Sequence, residues 1–294
     1  MIDFVHLYSN IDNHQTYLND KYLLFVEGVE YLKQKRLAYF WYKDQDSKML
    51  YKIGYNNWID ISGSLTKYQY SENYSNLTFS DLCYAIDSLA KTVNKHPNEL
   101  ILRSFEFGLN IHMFNNQKAL ELTDLAFNYK KIFFEPIASK NKDPISIGKK
   151  CRLQEYDIKI YSKTIEYELP FEILRVEVKV KKMCLVRKHN IKTLEDLKDI
   201  EKLYELLKIL IEKVGNTFFY DTSINFQALS QVDKQKCMLW QSELYRRKLI
   251  KEAPKKYFYQ KNKITALINK YGVLNIQHNI IQNLNKEWNN FKNN

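Results

Sequence analysis

The sequence has few cysteines and no long apolar segment, and both shortages exclude classes of protein. Its four cysteines, Cys83, Cys151, Cys184 and Cys237, are widely spaced and include no CxxC pair, so we expect neither a zinc knuckle nor a disulfide framework. No window approaches about eighteen uninterrupted apolar residues, and the N-terminus lacks a basic segment leading into an apolar run with a small-residue cleavage site. No internal repeat is evident. We therefore expect a soluble intracellular protein with no membrane partner.

Charge and aromatic content favour a partner that carries phosphate groups. Lysine and arginine outnumber acidic residues 45 to 34, giving a formal charge of +11, and 22 tyrosines and 16 phenylalanines accompany that charge. Cations release counterions from a nucleic-acid backbone, and aromatic rings stack on unpaired bases. An AT-rich genome produces much of the same composition by default, so composition alone leaves both interpretations open.

Three segments alternate polar and apolar side chains with the period of two that is typical of a half-buried strand. They are residues 102–113 (LRSFEFGLNIHM), 157–163 (DIKIYSK) and 173–180 (ILRVEVKV). Their polar faces carry Glu106, Asn110, His112, Lys159, Tyr161, Lys163, Arg175, Glu177 and Lys179. Two carboxylates, a tyrosine and several cations on one side of a sheet predict a metal-assisted phosphoryl-transfer site.

In that order, the three segments resemble the replication initiators of filamentous phages, the gene-two and gene-X proteins, and of related phage and plasmid elements. The resemblance spans roughly residues 1–200 and includes residues 1–3 (MID) before an apolar strand. It also includes residues 61–68 (ISGSLTKY) before a helix near Asp81. One departure is Thr66, where many relatives carry His.

The resemblance implies an activity and a nucleophile. These initiators nick one DNA strand at an origin through a catalytic tyrosine, which here would be Tyr161. Lys163 follows it by two residues, where its ammonium group would lower the pKa of the phenol or hold the scissile phosphate. By composition alone, Tyr161 is one tyrosine among 22.

The resemblance also implies a divalent cation, Mg²⁺ or Mn²⁺. Both ions favour oxygen ligands, and Glu106 and Glu177 are the best candidates. His112 and Asn110 are further candidates because they share the predicted face of Glu106, and Asn-Ile-His weakly resembles the His-apolar-His strand of HUH endonucleases. Taken singly, a strand glutamate beside Lys and Arg is also typical of a solvated cross-strand pair.

Basic and aromatic residues around this group are candidates for DNA contact, although each is also compatible with a solvated or packed side chain. They are Lys67, Tyr68, Arg103, Lys159, Arg175, Lys179, Lys181, Arg246 and Arg247. The implied partner is single-stranded or supercoiled origin DNA in the cytoplasm of a bacterial host, with a host helicase as a further partner. The sequence leaves the oligomeric state open.

Spacing of the apolar residues predicts an α+β fold with a central antiparallel sheet, flanking helices and a mostly helical C-terminal region, and the resemblance implies that the sheet and its flanking helices are of the HUH or Rep type. Apolar runs at 2–7, 22–29, 37–42, 49–53 and 58–61 favour a meander. Helices are predicted from a capping box at residues 78–81, at 117–127, at 193–215, and at 233–250, 263–271 and 276–291. Residues 132–152 are predicted as a basic loop, either a lid over DNA or a plain connection.

We expect residues 1–190 to form a nicking domain and residues 191–294 a helical region that binds DNA or packs on the sheet. Two other functions stay open at this point. One is a DNA-binding regulator without catalysis, and the other is a metal-dependent nuclease that uses water, with Tyr161 as a structural residue.

Overall fold

A computed structural model describes residues 1–14, 28–32, 37–113, 118–139 and 144–293. Its strands, in chain order, are β1 (Ile2–Asn10), β2 (Gly28–Leu32), β3 (Leu37–Lys43), β4 (Leu50–Gly54), β5 (Trp58–Ser64), β6 (Ile101–His112), β7 (Ala126–Tyr129), β8 (Ile132–Phe133), β9 (Glu135–Ala138), β10 (Ser146–Arg152), β11 (Tyr156–Ser162), β12 (Ile173–Val180) and β13 (Thr217–Phe219).

The α-helices are α1 (Leu65–Tyr70), α2 (Phe79–Thr92), α3 (Ala119–Asp124), α4 (Lys163–Tyr167), α5 (Cys184–Arg187), α6 (Ile200–Gly215), α7 (Gln231–Gln241), α8 (Glu243–Glu252), α9 (Pro254–Tyr271) and α10 (Ile276–Asn293). Short 3-10 turns cover Pro97–Glu99, Glu195–Lys198 and Phe226–Ala228. No helix among these described residues is long and apolar enough to cross a membrane.

Ten of the strands form one sheet in the order β2-β3-β4-β5-β1-β6-β12-β11-β10-β9, and each neighbouring pair is antiparallel. A smaller sheet has the order β13-β7-β8. The predicted α+β class, with a central antiparallel sheet and a mostly helical C-terminal region, is confirmed.

Alternation along the central strands decides which face of the large sheet is covered. Phe105 and Phe107 of β6 and Val176 of β12 are fully buried, and they share one apolar core with leucines and isoleucines of α2, α6 and α10. The polar residues between them point to the opposite face. The helices therefore cover one face of the sheet, and the other face holds the charged side chains.

The C-terminal region contributes to two cores. Helices α6 and α10 belong to the core of the large sheet, whereas Trp240, Tyr257 and Ile264 of α7 and α9 form a second apolar cluster with Phe218 of β13. The expected boundary at residue 190 stays a prediction, and α6 lies C-terminal to it while packing on the sheet.

Several predicted elements differ from the structure. The helix predicted at 233–250 is two helices, α7 and α8, with Ser242 between them, and the helix predicted at 263–271 begins at Pro254. The loop predicted at 132–152 is wrong over its described part, because β8, β9 and β10 fill it; residues 140–143 lie outside the described residues. The helix predicted at 117–127 is shorter, since it covers Ala119–Asp124 and the chain turns into β7. The helix predicted from Thr193 begins at Ile200 and has Asp199 as its N-cap. Part of the apolar run at 22–29 also lies outside the described residues.

Gly108 lets β6 and β12 approach each other at the centre of the sheet. A Cβ at this position would lie 2.2 Å from the carbonyl oxygen of Val176 and 2.5 Å from Cβ of Glu177. By contrast, a Cβ on Gly215, the last residue of α6, would meet no atom of the described residues within 4 Å.

We predict opposite effects of alanine at these two glycines. Gly108→Ala should lower the free energy of unfolding by about 1–3 kcal/mol, because the added methyl group forces two strands apart. Gly215→Ala should leave it unchanged or raise it by about 0.4–1 kcal/mol, since it only restricts the unfolded chain. Urea unfolding followed by circular dichroism measures both. Equal effects would mean that the approach of β6 to β12 is not close enough to exclude a side chain.

Candidate active site

The open face of the sheet brings the two predicted carboxylates and Lys159 together. Register explains the arrangement: Lys159 of β11 is opposite Glu177 of β12, and Glu177 is opposite Gly108 of β6. Glu106 lies two residues from Gly108 on the same face and is opposite Lys179. Glu106 and Glu177 are 71 residues apart in sequence, and they meet because three antiparallel strands are in register.

Lys159 bridges the two carboxylates. Its Nζ donates to Oε1 of Glu177 at 2.7 Å and to Oε2 of Glu106 at 3.0 Å, and Lys179 Nζ lies 3.0 Å from Oε1 of Glu106. Glu177 is 1% exposed and Glu106 only partly buried. Glu106, Glu177, Lys159 and Lys179 therefore form a compact group of two carboxyl and two ammonium groups on the open face of the sheet.

The surroundings move the pKa values of the two carboxyl groups in opposite directions. Burial, together with the nearby charge of Glu177, raises the pKa of Glu106 above its ordinary value. Burial alone would also raise the pKa of Glu177, but Lys159 and Arg175 hold it well below its usual range. Glu177 is therefore the ionised member of the pair, and Glu106 is the member that more readily keeps a proton.

Tyr161 lies beside this pair. Its hydroxyl group donates a hydrogen bond to Oε2 of Glu177 at 3.2 Å, and its side chain is 7% exposed. Burial, and then the charge of Glu177, raises the pKa of the phenol well above its ordinary value. Gly148 makes room on the neighbouring strand, because a Cβ there would lie 2.4 Å from Cα of Tyr161. The phenol is a protonated group in contact with a carboxylate base.

Lys163 lies close to Tyr161, although it is not on the same strand as predicted. Strand β11 ends at Ser162, which caps α4, and Lys163 is the first residue of that helix. Its Nζ lies 5.2 Å from the centroid of the Tyr161 ring, 4.9 Å from that of Tyr167, and 2.9 Å from Oε2 of Glu166. The turn into the helix keeps the ammonium group beside the phenol.

Arg175 lies two residues from Glu177 on β12 and supports its carboxylate. Only 3% of it is exposed, its Nε donates to Oε2 of Glu177 at 3.2 Å, and its Nη1 donates to Oδ1 of Asn110 at 3.1 Å. Its Nη2 lies 3.8 Å from Oδ2 of Asp3. A guanidinium group enclosed in this way orients the carboxylate, and the DNA contact predicted for Arg175 does not fit its burial.

A cleft of about 520 Å³ opens over these residues. Besides Glu106, Glu177 and Tyr161, it is lined by residues that include Asp3, Lys67, Lys150, Lys159, Lys163, Glu166 and Tyr167. Five lysines (with Lys48), four carboxylates and two tyrosines therefore line a cleft whose lysines suit the phosphate of a phosphodiester. The structure thus brings Lys67 to the same place as the predicted catalytic residues.

Asp3 and Glu166 were not predicted as site residues. Asp3 is 4% exposed and accepts hydrogen bonds from Oγ of Ser64 at 2.5 Å and Nδ2 of Asn73 at 2.9 Å. A carboxylate inside the first apolar strand was the available signal, since such a residue needs buried partners. Glu166 gave no signal, because its position depends on where α4 begins.

His112 and Asn110 do not join the carboxylates. His112 is six residues from Glu106 along β6, which corresponds to roughly 20 Å, and its exposed ring lies beside Phe171. Asn110 is fully buried, and its amide donates to the carbonyl oxygens of Tyr74 and Ser75. The structure therefore does not bring His112 or Asn110 to the two carboxylates, and the Oδ1 atom of Asn110 already accepts a hydrogen bond from Arg175.

Of the predicted DNA contacts, only Lys67 and Lys159 are among the described residues that line the cleft. Arg246 is 2% exposed and donates to the backbone of Trp240 and Gln241, so the role predicted for it is withdrawn. The hydroxyl of Tyr68 is 3.2 Å from hydroxyl oxygens on α2. Two others are partly or fully exposed but paired: Arg247 with Glu243, and Lys181 with Asp157.

Glu106 and Glu177 offer two carboxylate ligands to a divalent cation. Their oxygen atoms are the ligand type that Mg²⁺ and Mn²⁺ prefer, and one or two carboxylates plus phosphate oxygens are a usual Mg²⁺ environment. Lys159 lies between the same oxygens and would compete with the ion. Among the described residues, no third His, Cys, Asp or Glu completes a ligand group with them.

We predict that Arg175→Met lowers the free energy of unfolding by about 3–5 kcal/mol, because it leaves the buried carboxylate of Glu177 without one of its partners. Arg103→Met is the matched control. Its side chain is 49% exposed and 3.5 Å from Asp60, so the loss should not exceed about 1 kcal/mol. Urea unfolding compares them, and equal losses would show that Arg175 does not anchor Glu177.

No model of a known protein family matches this chain, and no curated protein or solved structure matches it either. The resemblance to the phage initiators therefore rests on the sequence motifs named above.

Proposed function

We propose that this protein is a replication initiator that binds an origin and nicks one DNA strand with Tyr161. The product would be a 5′-phosphotyrosine, and later rejoining of DNA ends by transesterification would complete rolling-circle replication. One observation carries the proposal: the Tyr161 hydroxyl donates a hydrogen bond to the carboxylate of Glu177, and both residues line a cleft that also contains five lysines.

The proposed chemistry assigns each proton and bond. The Tyr161 oxygen attacks phosphorus and forms a P–O bond, while the bond from phosphorus to the 3′ oxygen breaks. Glu177 takes the phenolic proton, because it already accepts the hydrogen bond from that hydroxyl. The departing 3′ oxygen takes its proton from solvent, so that Glu106 remains free to ionise and hold the divalent cation. Rejoining runs the same steps in reverse.

Lys159 links DNA binding to the strength of the base. In the free protein its contact holds the pKa of Glu177 low, so Glu177 is a weak base toward a phenol of raised pKa. A scissile phosphate would attract the Lys159 ammonium group and release Glu177 from part of that interaction. The pKa of Glu177 would then rise, and proton transfer from Tyr161 would become easier.

Lysines around the cleft would stabilise the charge that builds up on the phosphorane. Lys163 lies beside the phenol and Lys67 on the wall of the cleft. Preorganised cations in a partly buried cleft act at the position where charge develops. A divalent cation held by Glu106 and Glu177 would polarise a non-bridging phosphate oxygen.

The two other functions give different products. A DNA-binding regulator would leave the strand intact, and the burial of Tyr161 is the observation in its favour. A nuclease that uses water would cut the strand without forming an adduct. An origin oligonucleotide labelled on the 3′ side of the nick separates all three, because only tyrosine attack transfers the label to the protein.

We predict that Tyr161→Phe abolishes both the nick and the adduct while DNA binding persists, since only the hydroxyl group is removed. Tyr167→Phe is the matched control, because Tyr167 lines the same cleft and also lies near Lys163. Denaturing gels of the labelled protein measure the adduct. An adduct that survives in Tyr161→Phe and disappears in Tyr167→Phe would move the nucleophile to Tyr167.

We also predict that Lys159→Met tightens Mn²⁺ binding by about tenfold or more, because a positive charge next to the carboxylates is removed. Lys150→Met is the control, since Lys150 lines the cleft and is opposite Lys159 in register. Glu106→Gln should weaken binding. The paramagnetic signal of free Mn²⁺ reports binding without any reaction. Equal affinities in all variants would place a bound ion away from this pair.

A further inference from the structure

A second depression, the aromatic groove, lies on the same open face of the sheet. It has a volume of about 740 Å³, and rings of Phe4, His6, Tyr8, Tyr39 and Trp58 line it. Most of these rings are half-buried, so part of each is in contact with solvent. An aromatic cluster on an uncovered sheet face indicates an interaction site, because such side chains are normally buried in the core.

The indole of Trp58 lies against the backbone of the neighbouring strand. A Cβ on Gly54, its partner in register, would be 2.0 Å from the indole, so the ring occupies the space where another residue would have a side chain. The Tyr39 ring lies beside it, with 6.2 Å between centroids. Gly54 beneath the indole and the Tyr39 ring beside it therefore hold the indole in a fixed position in the groove.

Cations lie among the rings. The Arg103 guanidinium group is 4.0 Å from the centroid of Tyr8, Lys52 Nζ is 5.1 Å from that of Tyr39, and Lys179 Nζ is 5.7 Å from that of Phe4. Among the described residues that line the groove, Asp60 is the one carboxylate, and it is already paired with His6 and Arg103. The groove is therefore both aromatic and net positive.

The aromatic groove continues into the cleft that contains Tyr161. Phe4 lines both, and Lys179 lines the groove while its Nζ contacts Glu106 of the cleft. The strand that carries Trp58 is four places from the strand that carries Tyr161, which corresponds to roughly 19 Å across the sheet. Along the strands the separation is larger, because Tyr161 is level with Asn110 of β6 whereas Tyr8 is opposite Ile101, an offset of nine residues or roughly 30 Å. A single strand of several nucleotides is therefore needed to reach from Tyr161 along the groove.

We propose that the aromatic groove binds unpaired DNA several nucleotides away from the phosphate that Tyr161 attacks, on the same strand, with bases stacked on Trp58 and Tyr8. The inference rests on the proposed function for its place in the reaction. Stacking on a side chain requires a base face that no neighbouring base covers, so the groove suits a single strand, and the cations beside the rings suit its phosphates. Duplex DNA offers phosphates but no free base faces.

The test measures equilibrium binding of fluorescein-labelled oligonucleotides by anisotropy, in a Tyr161→Phe background that leaves the strand uncut. Trp58→Leu and Tyr8→Leu should each weaken single-strand binding by roughly tenfold. Tyr55→Leu is the matched control: Tyr55 is 45% exposed, lies near Trp58 in sequence, and is outside the groove. Urea unfolding checks that each variant is folded.

A second arm separates stacking from charge. An oligonucleotide with abasic sites at successive positions keeps its phosphates, so the loss caused by Trp58→Leu should vanish where the abasic site meets the groove. A loss that is the same with and without bases, or the same in Tyr55→Leu, would overturn the proposal. Tighter binding of a duplex or of RNA of the same sequence would also overturn it.

The two proposals can fail separately. Stacking losses in a protein that forms no adduct would leave a single-strand binding protein and reject the nicking activity. An adduct at Tyr161 in variants that bind DNA with full affinity would keep the nicking activity and reject the aromatic groove.

Discussion

The ion network around Glu177 is the constraint on which the open face of the sheet depends. A carboxylate with 1% exposure is tolerated only if charged and polar groups replace the water that burial removes. Lys159, Arg175 and Tyr161 are those groups, and they come from β11 and β12. A slip of one residue would turn Glu177 into the apolar core and Val176 to the surface. The register that pairs these strands is thus also what places Glu177 in the cleft.

Alternation was enough to predict which residues would lie on the open face. Period two separates Glu106, Lys159, Tyr161 and Glu177 from the core in the sequence itself, and antiparallel register then brings them together. The fold class followed from the same signal, together with the helical spacing after residue 190. These inferences succeed because burial of one face of a strand is a local property that each residue reports for itself.

Other features depend on contacts between distant parts of the chain, and sequence did not give them. The burial of Arg246 against Phe127 requires α8 to pack beside β7, although its neighbours in sequence are exposed cations. His112 shares the face of Glu106 but not its location, because parity says nothing about distance along a strand. Strands β9 and β10 were read as a loop, since prolines and lysines are rare in the interior of a sheet.

Pro136 affects how the large sheet ends. It lies on β9, the last strand of the large sheet on this side, and is opposite Lys149 of β10. Proline has no backbone N–H to offer another strand, and Glu135 beside it pairs with Arg152 across the edge. A border of this kind resists the addition of a further strand from another molecule. A ten-stranded sheet with one uncovered face can thereby end at β9 without becoming a template for aggregation.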